Sequence, residues 1–298
     1  MSNYRAGYVG LIGRPNAGKS TLLNALLGEK LSIVSRKPQT TRQRICGIYS
    51  SDQGQIVFLD APGVIHAESG LNRFLKNEYE AVIEDSDFLV AVLNLDAKKQ
   101  EELSDIISLV ESSGKPWGAI ITKCDMRLGH RKPWILQQLG GKAQFVIEVS
   151  ARNRPQDTQD EVIPQLIPKM PESAAPLFDP EVYTTHNMRE IAAEVVREKC
   201  FDFLHAEIPY GLAVLVNKYE EGENLDRIFA SIYLSKEAHR AMVIGQGGAK
   251  LKRIGQAARL DIEKILGKKV YLDLHVSVKK NWMKNPMQME EFGYVHNS

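Results

Sequence analysis

Between residues 6 and 168, short apolar runs alternate with longer amphipathic ones. The runs 6–12, 55–60, 88–94, 117–122 and 145–150 are almost wholly apolar. The intervening segments 20–27, 71–84 and 100–112 have helical length and spacing. Strands apolar on both faces and separated by helices predict a mostly parallel sheet with helices on both faces, an α/β domain. The stretch between the first helix and the second strand is polar and reads as strand-poor loop.

Pro164, Pro168, Pro171, Pro176 and Pro180 then crowd the chain. Proline disfavours helix and ladder alike, so a linker is predicted over 173–182, parting a domain 1–172 from a domain 183–298. The second domain reads differently. A helix over 188–205, strands over 211–218 and 226–234, two helices flanking a glycine cluster and a closing strand 270–278 predict an α+β unit.

Composition changes this picture little. A length of 298 residues suits two domains. No window approaches eighteen apolar residues and no signal-like segment opens the chain, so neither a membrane span nor export is expected. Cys46, Cys124 and Cys200 lie far apart without Cys-x-x-Cys spacing, which argues against a disulfide framework or structural zinc and for a reducing cytoplasm. The net charge of +1 hides an uneven distribution: residues 236–284 hold twelve Lys or Arg against four acids. That region suits a polyanion.

The chemistry starts at Gly13-Arg14-Pro15-Asn16-Ala17-Gly18-Lys19-Ser20, a full match to G-x-x-x-x-G-K-[ST] between a buried strand and a helix start. Such a loop turns successive backbone N–H groups, here from Asn16, Ala17, Gly18, Lys19, Ser20 and Thr21, towards phosphate oxygens, and the helix aims its positive end at them. Lys19 can reach the β- and γ-phosphates, and the Ser20 hydroxyl can bind magnesium. A chemically silent glycine turn is the bland alternative, and the strand–loop–helix setting opposes it.

This loop alone does not choose between kinase, ATPase and GTPase. Asp60-Ala61-Pro62-Gly63 ends the second predicted strand, where Asp60 can hold a magnesium-bound water and Gly63 can offer its N–H to a γ-phosphate. Thr40-Thr41 lies in the polar loop, where a threonine can complete the magnesium shell when the γ-phosphate is present. Thr122-Lys123-Cys124-Asp125 follows the fourth predicted strand. The Asp125 carboxylate can accept from both N1–H and N2–H₂ of guanine, a donor pair that adenine lacks. The Lys123 stem can lie on the base, and Ser150-Ala151 can turn a backbone N–H towards guanine O6. Each feature alone has a plain reading as a turn or a solvated charge pair.

In order and strand-end placement the set resembles a small GTPase domain. The wording of 13–20, of Ser35-Arg36-Lys37-Pro38-Gln39-Thr40-Thr41-Arg42-Gln43-Arg44 and of Asp60-Ala61-Pro62-Gly63 is similar to the bacterial Era GTPase family. That resemblance implies a P-loop GTPase fold, GTP and GDP as ligands, and hydrolysis with Mg²⁺ held through Ser20, Thr41 and Asp60. It places Lys19, Thr41 and Gly63 at the catalytic centre and implies that Asn16 helps hold a K⁺ ion. Val64 stands where signalling GTPases carry the water-orienting glutamine, so slow intrinsic turnover is expected. Thr122 replaces the family's usual asparagine, and its shorter side chain predicts weaker nucleotide binding.

In the second domain Gly245-Gln246-Gly247-Gly248 gives a GxxG turn between helices, followed by Lys250, Lys252 and Arg253. Glycine at both ends lets a nucleic-acid backbone approach closely, and the next helix presents its first N–H groups to phosphates. The element order resembles a type II KH domain. Further matches to the Era family at Arg197-Glu198-Lys199, Glu207-Ile208-Pro209-Tyr210 and Val270-Tyr271-Leu272-Asp273-Leu274 extend the resemblance over nearly the whole chain. It implies binding of 16S ribosomal RNA near its 3′ end and a role in assembly of the 30S ribosomal subunit, under control of the nucleotide. The expected protein is a cytoplasmic monomer with no DNA partner. Weak peripheral association with the inner face of the cell membrane is a family expectation, though no lipidation motif or amphipathic anchor stands in the sequence.

Overall fold

The computed structural model describes residues 4–29, 42, 44–63, 70–97 and 99–294. It divides into two compact units, one of residues 1–66 and 75–185 and the other of residues 67–74 and 186–298.

The first unit is a six-stranded sheet in the order β2-β3-β1-β4-β5-β6. Its strands are β1 (Arg5–Gly13), β2 (Ile45–Ser51), β3 (Gly54–Asp60), β4 (Phe88–Asn94), β5 (Trp117–Thr122) and β6 (Val146–Glu148). All pairings are parallel except β2 with β3. β3 and β4 are buried at every position, which is why they lack the alternation of a half-exposed strand. Successive residues feed opposite faces. Phe58, Val90 and Ile120 pack with Leu22, Leu23 and Leu26 of α1 (Lys19–Leu27) and with Val162, Ile163 and Leu166 of α5 (Pro155–Leu166). Leu59, Leu89 and Ile121 instead pack with Tyr79 and Val82 of α2 (Leu71–Asp85), Ile106 and Val110 of α3 (Glu101–Ser112), and Ile135 of α4 (Lys132–Leu139). Truncating a fully buried leucine such as Leu26 should cost about 2–5 kcal/mol.

β2 departs from the expected strand-poor loop. Its sequence Ile-Cys-Gly-Ile-Tyr-Ser-Ser is only half apolar, and pairing with the buried β3 supplies what its own pattern lacks. The proline-rich stretch over 173–182 also differs from a bare linker, because it lies against this unit. Gln55 is fully buried and clasps Phe178 in both directions: its Nε2 donates to the Phe178 carbonyl at 2.8 Å, and the Phe178 N–H donates to Oε1 at 2.9 Å. The free side of β2 is met by Ile48 N–H donating to the Tyr183 carbonyl and by Thr184 Oγ1 donating to the Cys46 carbonyl. Proline holds its neighbours extended, and an extended segment can cover an edge strand that would otherwise invite pairing.

The second unit opens with α6 (Met188–Phe203), started by a capping box in which Asn187 and Glu190 satisfy each other's backbone N–H groups. Three strands follow in the order β7-β8-β9: β7 (Leu212–Glu220) and β8 (Leu225–Leu234) antiparallel, β9 (Lys269–Val278) parallel to β8. α7 (Arg240–Ile244) and α8 (Ala249–Leu266) lie between β8 and β9 in sequence, and Val243, Ile254, Ala258 and Ile262 share one core with Ile191, Val195, Ile228 and Ile232. After β9 the chain adds a turn and α9 (Pro286–Glu291), which the sequence pattern did not suggest. Trp282 there is fully buried, and its Nε1 donates to the Gly211 carbonyl at 3.1 Å.

Candidate functional site: a phosphate loop and a base-reading edge

The carboxyl ends of β1, β3, β4, β5 and β6 bring five loops together, which is where open α/β sheets place ligands. The loop after β1 is set by backbone conformation. Asn16 and Gly18 take left-handed φ values of 62° and 94°, and Gly18 caps α1. The Ala17 N–H donates to the Arg14 carbonyl at 3.1 Å. Lys19 is buried, and its ammonium donates to the carbonyls of Gly13 and Arg14 at 3.0 and 3.2 Å. Burial pushes its pKa down, against an opposing pull from the Asp60 charge. Thr21 follows in the first turn of α1.

Two of the three predicted magnesium ligands meet. Ser20 Oγ donates to Asp60 Oδ2 at 2.7 Å, and the Asp60 side chain is fully buried. A magnesium ion fits this place, because both donors are hard oxygens at the head of a helix beside the phosphate loop. Among the described residues there is no group of three or more His, Cys, Asp or Glu able to hold a metal. Gly63 is pressed against the same loop: a Cβ there would lie 2.5 Å from the Pro15 nitrogen, so only glycine lets the two backbones touch. Thr41, the third predicted ligand, and Val64 lie outside the described residues.

At the other end, Thr122 is buried and its Oγ1 donates to the Ala17 carbonyl at 2.6 Å. The shorter side chain therefore still ties β5 to the phosphate loop. Lys123 has a left-handed φ of 62° and sends its ammonium to both Asp96 oxygens at 2.8 Å. Asp125 is exposed, and Ser150 Oγ donates to its Oδ1 at 2.7 Å, leaving a carboxylate held from one side and open on the other. Ala151 is buried beside Ser150. Such an arrangement can grip a purine edge through a bidentate acceptor while a lysine stem covers its face.

In the second unit Gly245, Gly247 and Gly248 all have left-handed φ, at 73°, 57° and 78°. Their roles differ. A Cβ on Gly245 would lie 2.8 Å from the Lys250 Cβ, whereas at Gly247 and Gly248 it would meet nothing within 4 Å. Gln246 and Gly247 are exposed, Lys250 is half-buried and Lys252 is exposed. Arg253 turns back to lie over the Phe203 ring of α6, its guanidinium carbon 4.8 Å from the centroid.

Residues 8–123 match the family described as 50S ribosome-binding GTPase, and residues 207–283 match the KH domain. The chain is 38% identical to GTPase Era of Syntrophus aciditrophicus, covering 98% of this chain and 95% of that protein. It is 39% identical to GTPase Era of Nitratidesulfovibrio vulgaris, covering 98% of each. This chain belongs to the Era GTPase family. Two solved family structures agree over 98% of this chain and all of theirs at 31% identity. One is an Aquifex aeolicus Era variant bound to GDP and AlF₄⁻, with a TM-score of 0.88. The other is Era in complex with MgGDPNP and nucleotides 1506–1542 of 16S ribosomal RNA, with a TM-score of 0.91. The first unit is thus a P-loop GTPase domain that hydrolyses GTP, and the second is a KH domain with the family's α+β order.

Family membership adds no side-chain detail, and the structure adds three groups that pattern reading passed over. Asn94, Asp96 and Arg131 gather beside Lys123 at the carboxyl end of β4 and β5. A polar Asn-x-Asp directly after an apolar strand was a usable signal, since strand carboxyl ends are where ligands bind. Arg131, on the far side of a turn, carried none.

Proposed function

We propose that this chain is a GTP-driven switch that binds the 3′ region of 16S ribosomal RNA through its KH domain and acts in the cytoplasm in assembly of the 30S subunit. The observation that supports it most is the convergence of Ser20 with Asp60, Thr122 with Ala17, and Ser150 with Asp125 at one end of one sheet. Asp125, steadied by Ser150, accepts from the two guanine donors, and adenine offers no such pair. The backbone N–H groups of residues 16–21 and the Lys19 ammonium, released from Gly13 and Arg14, receive the phosphates. Gly63, held against Pro15, presents its N–H to the terminal phosphate. Ser20 and Asp60, with Thr41, are the residues that would hold magnesium, which would supply neutralisation of phosphate charge. Asn16 in its left-handed conformation is the residue proposed for K⁺.

For the RNA, Gly247 and Gly248 leave open space beside the backbone, and residues 236–284 carry the positive excess. The Era complex with a 16S fragment supports this partner. For the membrane expectation, no helix among the described residues is long and apolar enough to cross a bilayer.

Competition binding with labelled GTP tests the nucleotide half. Asp125→Asn should weaken GTP about a hundredfold and shift preference towards xanthosine triphosphate. Equal competition by ATP against the unaltered chain would sink the assignment. Titration of a 16S 3′-end oligonucleotide in the GDP- and GTP-analogue states tests the switch, and equal affinities in both states would reduce the protein to a constitutive RNA binder.

A further inference from the structure

The loop after β4 lies beside the base-reading edge, and none of its residues has a role in the scheme above. Asp96 takes the Lys123 ammonium between its two oxygens, at 2.8 Å each. This carboxylate is itself held. Asn94, nearly buried at the end of β4, donates from Nδ2 to Asp96 Oδ1 at 2.5 Å. Arg131 donates from Nη1 to the carbonyls on either side, Leu95 at 3.1 Å and Ala97 at 2.5 Å. The Leu95 N–H reaches the Thr122 carbonyl at 3.3 Å, joining the loop to the strand that carries Lys123. Burial pushes the Asp96 carboxyl up, but hydrogen bonds from Lys123 and Asn94 and the lysine's charge outweigh it and hold it below its usual range. Asp96 therefore stays ionised at neutral pH.

We infer that Asp96 is a positioning residue for the guanine site: it fixes the Lys123 side chain along the face the base occupies before nucleotide arrives. The inference rests on the reading of Lys123 and Asp125 as the base-recognition pair. Both partners of the ion pair are about a third exposed, with side-chain accessibilities of 29% and 32%. Exposed pairs of this kind add little to folding. What the pair does is remove rotamer freedom from a long side chain, and a group ordered in advance does not lose that freedom on binding. The left-handed backbone at Lys123 aims the stem, and Asp96 stops its far end from swinging. Asp96 acts on the base through Lys123, so its effect belongs to affinity and not to the chemical step.

The test is a double-mutant cycle in the full-length protein, read by titration with fluorescent GDP and GTP analogues and by single-turnover hydrolysis at saturating GTP. Asp96→Ala should weaken both nucleotides by about five- to thirtyfold, with the saturated rate within about twofold of the parent. Asp96→Asn, which keeps one acceptor, should recover part of the affinity. In the Lys123→Met background, Asp96→Ala should cause no further loss. Losses that add, unchanged affinity in Asp96→Ala, or a fall in the saturated rate in place of affinity would each overturn the inference. No loss from Lys123→Met alone would instead strike the base-site reading beneath it. Thermal unfolding of each variant separates these outcomes from a misfolded loop.

Discussion

The nucleotide end of the first unit and the GxxG turn of the second, the two phosphate sites proposed above, both depend on glycine, yet they are built in opposite ways. In the first, groups far apart in sequence fix one another: the side chains of Ser20 with Asp60, Ser150 with Asp125 and Lys123 with Asp96, and the Thr122 hydroxyl with the Ala17 carbonyl. In the second, one unbroken stretch turns through three left-handed glycines and runs straight into α8. The surface it offers is backbone and open space more than side-chain geometry. A site made of mutual contacts can discriminate a base and stabilise a transition state, because its groups are pre-aimed. A turn with room around it accepts a sugar–phosphate backbone of many sequences.

Breaking the first site should have the largest effect. Lys19→Ala removes the buried ammonium from the phosphate loop, and single-turnover hydrolysis should fall about 10²–10³-fold. A rate within a few fold of the parent would disprove a catalytic role for Lys19. Next comes Gly247→Asp with Gly248→Asp, which fills the open side of the turn with two negative charges. Affinity for a 16S 3′-end oligonucleotide should drop at least about tenfold, while hydrolysis without RNA stays within about twofold. Unchanged RNA binding would remove the turn from the interface.

Thr122→Val sharpens the contrast, since it deletes one hydroxyl and preserves shape. The Ala17 carbonyl would lose its buried donor, costing about 1–3 kcal/mol of stability by denaturant titration and about fivefold in GTP affinity. Thr122→Val that is neutral on both counts would make the contact incidental. The smallest effect is expected of Lys252→Ala, an exposed cation in the first turn of α8. It should lower the slope of log affinity for RNA against log salt by about one, with similar loss for unrelated RNA sequences. A loss confined to the 16S sequence would instead make Lys252 a base reader.

Much of this was legible along the chain. The five parallel strands announced themselves as apolar runs, and the phosphate loop by its spacing between strand and helix. The GxxG turn was equally visible, because its conformation is decided locally by glycine. β2 was missed since its stability comes from the neighbour it pairs with, not from its own alternation. The covering of its edge by 183–184 was missed for the same reason, as proline content signals an extended chain but not where it lies. Asp96 had a visible position after a strand, but nothing in its spacing named Lys123, 27 residues on, as its partner.

Sequence by itself thus determined which segments are strands and helices, which loops can take a phosphate and where the positive charge collects. These properties depend on residues within a few places of one another, through periodicity, backbone freedom and composition. Tertiary structure alone decided that Ser20 meets Asp60, that Thr122 reaches the phosphate loop despite its short side chain, and that Asp96 holds Lys123. Those contacts depend on strand order, and strand order follows from how buried faces stack, which no single stretch of the chain encodes.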